Sequence, residues 1–255
     1  MAGKVFDLTG KVAVITGGAT GIGLGIAQGF ARVGADLVIA ARRIEKCEAA
    51  CALLADYGVG TLAVKCDVSR ERDVQDMINA ALSRFGRVDI LVNNAGITGA
   101  AKPLMDIELS QWQKTLDTNL TGSMLCARAV AGHMAERGSG KIINIVSAGG
   151  IKPLANSADY CASKAGLLML TESLALELAG KGINVNAICP GYIESDLNEE
   201  LLDKIREQAA RKVPIGYMAT PDSLQGAALL LASDAGDYMV GASLVIDGGS
   251  LLTTR

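Results

Sequence analysis

Short apolar runs alternate with stretches of helical period from one end of the chain to the other. The runs Val12–Thr16, Leu37–Ala40, Thr61–Lys65, Ile90–Val92, Lys141–Val146, Asn184–Ile188 and Leu244–Ile246 have the length of strands. Between them lie helical stretches near 22–33, 43–57, 70–85, 109–137, 157–180, 196–211 and 221–233. This alternation predicts an α/β fold with a parallel sheet of about seven strands and helices on both faces. No repeat, low-complexity segment or Pro/Ser-rich linker interrupts it, so the chain is expected to be one domain over 1–255. The longest irregular region follows Pro190, and the stretch of about 190–215 is the candidate for a substrate lid.

Composition narrows the picture. At 255 residues, half of them apolar, the chain is long enough to bury a large core. Val12 to Ala31 carries no charge for twenty residues, the length of a membrane span. Six glycines with Thr16, Thr20 and Gln28 divide that stretch into strand, loop and helix instead. No apolar leader with a small-residue cleavage site opens the chain, which points to the cytoplasm and away from the membrane. The net charge of −3 is mild and the basic residues are dispersed, which argues against nucleic acid as a partner. Six cysteines lack metal-ligand or redox spacing, and His133 is the one histidine, so no metal site is expected.

The first strand runs into Thr16-Gly17-Gly18-Ala19-Thr20-Gly21-Ile22-Gly23 and then a helix. Glycines admit close approach of a pyrophosphate, and a helix N-terminus offers free N–H groups with partial positive charge. The spacing is neither G-x-G-x-x-G nor a P-loop. Where an acid at the second strand's end would bind a ribose 2′-hydroxyl, this chain has Ala41 followed by Arg42 and Arg43. A guanidinium there pairs with a 2′-phosphate, so NADP(H) is the expected cofactor, with NAD(H) as the other choice. Asp67 and Val68 close the third strand, where an acid can accept from an adenine amine or cap the next helix. Asn93-Asn94-Ala95-Gly96 closes the fourth, where paired amides and a glycine bend can line the crevice or simply make a turn.

Tyr160 and Lys164 stand four residues apart on one helix, with Ser147 thirteen residues upstream of the tyrosine. A free phenol, with a pKa of about 10, is a poor acid or base at neutral pH. A neighbouring ammonium would draw it down, and a serine hydroxyl would hold a substrate oxygen. Such a set moves a proton on or off a carbinol oxygen; the accompanying hydride needs a nicotinamide.

These pieces together, Thr16-Gly17-x-x-x-Gly21-x-Gly23, Asn93-Asn94-Ala95-Gly96, Asn119, Ser147, Tyr160-x-x-x-Lys164 and Pro190-Gly191, resemble the short-chain dehydrogenase/reductase family over nearly the whole chain. The resemblance implies a doubly wound, Rossmann-type sheet, a nicotinamide cofactor and a homo-oligomer, tetramer or dimer. It casts Tyr160 as general acid/base that also borders the cofactor, Lys164 as its modulator and ribose anchor, Ser147 as the substrate-oxygen ligand and Asn119 as the holder of a water leading to Lys164. Pro190, Gly191 and Ile193 would border the nicotinamide, and Ser195 stands where the family often has threonine. The branch it resembles contains gluconate 5-dehydrogenases and 3-oxoacyl carrier-protein reductases.

Ile97, Ile151, Leu154, Tyr192 and Leu197 are the expected pocket lining, apolar and short of charge. The expected substrate is a small secondary alcohol or ketone. A 3-oxoacyl thioester reductase is the alternative, for which Lys102, Lys152, Arg206, Arg211 and Lys212 would have to gather at the pocket mouth. A cofactor-sensing protein without turnover, or a methyltransferase, would leave Ser147, Tyr160 and Lys164 idle.

Overall fold

The computed structural model describes residues 5–194, 206–207 and 211–253. Seven parallel strands form one sheet in the order β3-β2-β1-β4-β5-β6-β7. They are β1 (Val12–Thr16), β2 (Asp36–Ala41), β3 (Thr61–Lys65), β4 (Ile90–Asn93), β5 (Gly140–Ile145), β6 (Ile183–Pro190) and β7 (Ser243–Ile246). Each expected strand is present, shifted at the ends by two residues at most. The helices between them are α1 (Gly21–Arg32), α2 (Ile44–Ala55), α3 (Glu71–Phe85), α4 (Leu109–Leu116), α5 (Gly122–Glu136), α6 (Ala158–Leu178) and α7 (Gln225–Ala232). The helix expected over 196–211 lies largely outside the described residues, as do Ser195 and Leu197.

Both faces of the sheet are buried, and successive residues of β1 divide between them. Ala13 and Ile15 pack with Ile26 and Phe30 of α1, Leu54 of α2 and Ala228 of α7. Val12 and Val14 face the other way, onto Met77 of α3 and onto Val130 and Met134 of α5. This two-sided covering makes the strands continuously apolar instead of alternating. β1 lies between β2 and β4, so the chain turns in opposite directions after its two central strands. Their carboxyl ends then open a crevice, the usual ligand position in a sheet of this kind.

The segment 109–137 is not the single α-helix expected. Between α4 and α5 the backbone widens into a π-turn over Asp117–Thr121. The extra residue redirects the side chains, and Asn119 faces fully inward.

Candidate active site

The loop after β1 is built around close contacts that exclude side chains. Asn94, at the end of β4, donates from Nδ2 to the carbonyls of Thr16 and Gly17, both at 3.0 Å. A β-carbon on Gly23 would sit 2.5 Å from that same Nδ2 and closer still to the Gly17 oxygen. Gly17 itself has φ of +62°, a conformation open to glycine. Thr16 completes the joint, its hydroxyl accepting from the backbone N–H groups of Asn94 and Ala95 at 3.1 Å. Asn93 points the other way. Its amide donates to Asn144 Oδ1 at 2.9 Å and to the Ser123 carbonyl at 3.2 Å, inside the core. Of the paired amides, only Asn94 serves the crevice.

That crevice is a cleft of about 700 Å³. Gly17, Thr20, Ile22, Arg42, Arg43, Asp67, Val68, Asn94, Ala95, Gly96 and Ile193, each a candidate for the cofactor, all line it. Gly21 and Gly23 shape the turn without lining it, and Pro190, Gly191, Tyr160 and Lys164, also expected at the cofactor, do not line it. Gly191 packs on Asp247, where a β-carbon would fall 2.7 Å from the Asp247 α-carbon, and it donates to the Ile246 carbonyl at 3.0 Å. Lys46, Lys114 and Glu194 also line the cleft and were not foreseen. Lys46 follows Arg43 by three residues, a spacing that could have flagged it; nothing in sequence links Lys114 to this place.

Asp67 does not cap the following helix. Its Oδ1 accepts from the backbone N–H and the hydroxyl of Ser69, at 3.1 and 2.7 Å. Burial works against its charge, but these bonds and the nearby guanidinium of Arg42 outweigh it and hold the carboxyl below the usual range.

Ser147, beyond β5, and Tyr160, in the first turn of α6, meet over Gly149, where a β-carbon would lie 3.3 Å from the serine oxygen and 3.2 Å from the tyrosine ring. The serine oxygen accepts from the Gly149 N–H at 3.0 Å, which fixes its rotamer. Lys164 lies one turn on, 95 % buried, with Nζ 6.0 Å from the centre of the Tyr160 ring. The sequence reading set this ammonium against the phenol to lower its pKa, and the structure departs from that. Nζ donates to the Ile145 carbonyl at 2.8 Å, because the long side chain runs back along the end of β5. Burial pushes the phenol up, and the Ser147 hydroxyl pulls it the other way. Burial also brings Lys164 down to about 8.

Asn119 is clamped. Its Nδ2 donates to the Ile97 carbonyl at 2.9 Å and to Ser163 Oγ at 3.0 Å, and its Oδ1 accepts from the Ile97 N–H at 2.8 Å. A β-carbon on Gly96 would lie 3.2 Å from Asn119 Oδ1 and 3.6 Å from Lys164 Nζ, so Asn119, Gly96 and Lys164 meet at one point. The four residues of the expected catalytic set therefore share one corner of the molecule. Cys161, beside the tyrosine, accepts on sulfur from the Leu154 N–H at 3.3 Å. Among the described residues no cluster of histidine, cysteine or acidic side chains could hold a metal. No described helix is long and apolar enough to cross a membrane.

The family model described as enoyl-(acyl carrier protein) reductase matches residues 17–250. A cis-4-hydroxycyclohexanecarboxylate dehydrogenase of Sinomonas cyclohexanicum is 40 % identical over 239 residues, 94 % of this chain and 96 % of that protein. A 3-oxoacyl-(acyl-carrier-protein) reductase of Chlamydia pneumoniae is 38 % identical over 242 residues, 95 % of this chain and 97 % of its own length. Among solved structures, a gluconate 5-dehydrogenase of Burkholderia cenocepacia in complex with NADP and tartrate superposes with a TM-score of 0.93. It is 38 % identical and covers 100 % of both chains. A full-length match in sequence and fold, joined to the Ser147, Tyr160 and Lys164 corner beside a glycine-lined cleft, leaves one conclusion: the chain belongs to the short-chain dehydrogenase/reductase family of oxidoreductases.

Proposed function

We propose that this protein interconverts a small secondary alcohol and its ketone with NADP(H), using Tyr160 as the proton donor and acceptor. The meeting of Ser147 and Tyr160 over Gly149, with Lys164 behind the cleft-lining Gly96, carries the reading. When bound, the nicotinamide supplies or takes the hydride. Ser147 presents its hydroxyl to the carbonyl oxygen, and Tyr160, kept protonated by burial, delivers its proton there as charge develops on that oxygen. Lys164, anchored on the Ile145 carbonyl, packs behind the tyrosine, and Asn119 and Gly96 hold the floor on which it rests. In the reverse direction the deprotonated Tyr160, a phenolate, takes the proton of the alcohol, so oxidation gains with rising pH.

The residues at hand fit a dinucleotide. Gly17 and Gly23 leave the backbone bare at the start of α1, and Asp67 and Val68 close the side of the cleft near β3. Arg42 and Arg43, with Lys46 beside them, form a cationic edge suited to a 2′-phosphate, which supports NADP(H) over NAD(H). The NADP in the gluconate dehydrogenase relative points the same way.

The thioester reductase is the second reading, favoured by the carrier-protein reductase among the relatives. Two of its required cations are engaged within the chain. Lys152 donates to the Thr253 carbonyl at 2.5 Å, and Arg206 pairs with Glu194 at 2.9 Å. We therefore favour a small neutral ketone. We further infer one domain over 1–255, a cytoplasmic setting and a homo-oligomer. Exposed Met169 and Leu176 on α6 supply apolar surface for self-association.

The deciding experiment follows nicotinamide absorbance with NADPH and NADH against cyclic ketones, sugar acids, polyols and acetoacetyl thioesters. Turnover of a ketone with NADPH is the expected outcome. Turnover of thioesters alone would transfer the reading to the alternative, and binding of cofactor without turnover of any substrate would sink both.

A further inference from the structure

Asp159 precedes Tyr160 in the first turn of α6, and its side chain is completely buried. An aspartate is rarely found fully buried unless it is partnered. This one has partners from two distant parts of the chain: its Oδ2 accepts from the Ala100 N–H and from the Thr115 hydroxyl, both at 2.8 Å. The backbone passes directly over the carboxylate at Gly99, where a β-carbon would fall 2.7 Å from both oxygens and φ is +77°. Burial opposes the charge and leaves Oδ1 without a hydrogen-bond partner among the described residues, yet the bonds to Ala100 and Thr115, helped by the N–H groups of its own helix turn, hold the carboxyl below the ordinary range, so it is ionised at neutral pH.

The tether has a counterpart. Asn119, four residues beyond Thr115, grips Ile97 through both its backbone groups. The loop after β4 is thus pinned at Ile97 from the π-turn and at Ala100 from the helix that carries the tyrosine. Gly96 and Ile97 border the cofactor cleft, whereas Ala100 lies outside it. Fixing Ile97 therefore serves the cofactor side. Fixing Ala100 sets the distance between the loop and the first turn of α6, where Tyr160 projects.

We propose that Asp159 is a positioning residue, whose carboxylate holds the 97–101 loop at a set distance from Tyr160 and so fixes the width of the substrate site. It touches no reacting atom, and the inference rests on the reading of Tyr160 as the proton donor. A neutral amide could not replace it fully. One oxygen takes two donors here, and bonds to a charged acceptor are about twice as strong as neutral ones.

The test compares Asp159→Asn, Gly99→Ala and the double variant. For each, kcat and KM are measured for the ketone found in the panel, with cofactor Kd, Tm and hydrogen exchange over 97–101. Asp159→Asn should lower kcat/KM by about tenfold or more, mostly through KM, the loss expected for a weakened charge-assisted bond. Cofactor Kd should stay within about twofold, and 97–101 should exchange faster. Gly99→Ala pushes the same loop off the same carboxylate, so the double variant should lose little beyond the worse single one. Additive losses, a cofactor Kd weakened in step with KM, or a kcat/KM within about twofold of wild type in a folded, less stable Asp159→Asn would overturn the proposal. Should that variant not fold, Thr115→Val removes one donor and leaves the carboxylate; an unchanged ketone KM there overturns it equally. If the wild-type protein turns over no ketone, the proposed function fails on its own. Exchange over 97–101 then reads the tether separately, and no change in Asp159→Asn would dismiss it.

Discussion

Gly23→Ala tests the joint at the centre of the cleft. A methyl group at this position would lie 2.5 Å from Asn94 Nδ2 and nearer to the Gly17 oxygen. Ordinary contact begins near 3.4 Å, so the two loops must part by about 1 Å. Asn94 ties them through two bonds of 3.0 Å, and a shift of that size breaks at least one. Overpacking costs about 1–3 kcal/mol, and the lost hydrogen bond adds about 1 kcal/mol. If the cleft bears this cost on binding, affinity for NADPH falls by roughly 30- to 1000-fold, each 1.4 kcal/mol being tenfold. Titration of nicotinamide fluorescence measures the Kd, and thermal melting separates weak binding from unfolding. Gly132→Ala is the control: it lies in α5 with nothing within 4 Å of the added carbon. It should leave Kd unchanged and raise stability by about 0.5–1 kcal/mol. A Gly23→Ala protein that binds NADPH within about threefold of wild type would show that the loop is not shaped by this contact.

Three other perturbations address the chemistry. Tyr160→Phe should reduce kcat by about 10²–10⁴ with NADPH affinity nearly unchanged, because Tyr160 does not line the cleft; a kcat near that of wild type would remove it from proton transfer. Arg42→Glu should invert cofactor choice by weakening NADPH about 10- to 100-fold and sparing NADH, as expected for a lost charge-assisted bond; an unchanged ratio of kcat/KM for the two cofactors would refute the cationic edge. Lys164 has a pKa of about 8 when folded against 10.5 in the open chain. Between those values the unfolded chain binds the extra proton, so this group makes stability rise with pH through that window. Melting curves of wild type and Lys164→Met from about pH 7 to 10 should therefore diverge in favour of wild type as pH rises, and parallel curves would deny the buried ammonium.

The sheet was legible from the start because strands covered on both faces need apolar residues at nearly every position, whatever packs on them. That local demand marked β1, β2 and β4 above all, and the glycine turn after β1 followed from the backbone's need for bare α-carbons. The order of Ser147, Tyr160 and Lys164 likewise carried its chemistry in residue type and spacing alone. Tertiary structure decided where side chains go once the helices dock. Periodicity gives no sign of the π-turn at Asp117–Thr121 that turns Asn119 inward. It equally cannot say that Asn94 faces the cleft while Asn93 faces Asn144. Nor could a four-residue spacing show that Lys164 reaches for the Ile145 carbonyl while burial governs the phenol. The hold of Asp159 on Ala100, across 59 residues, is of the same kind. Such contacts join segments far apart in the chain, and only the packed sheet and helices bring them within bonding distance.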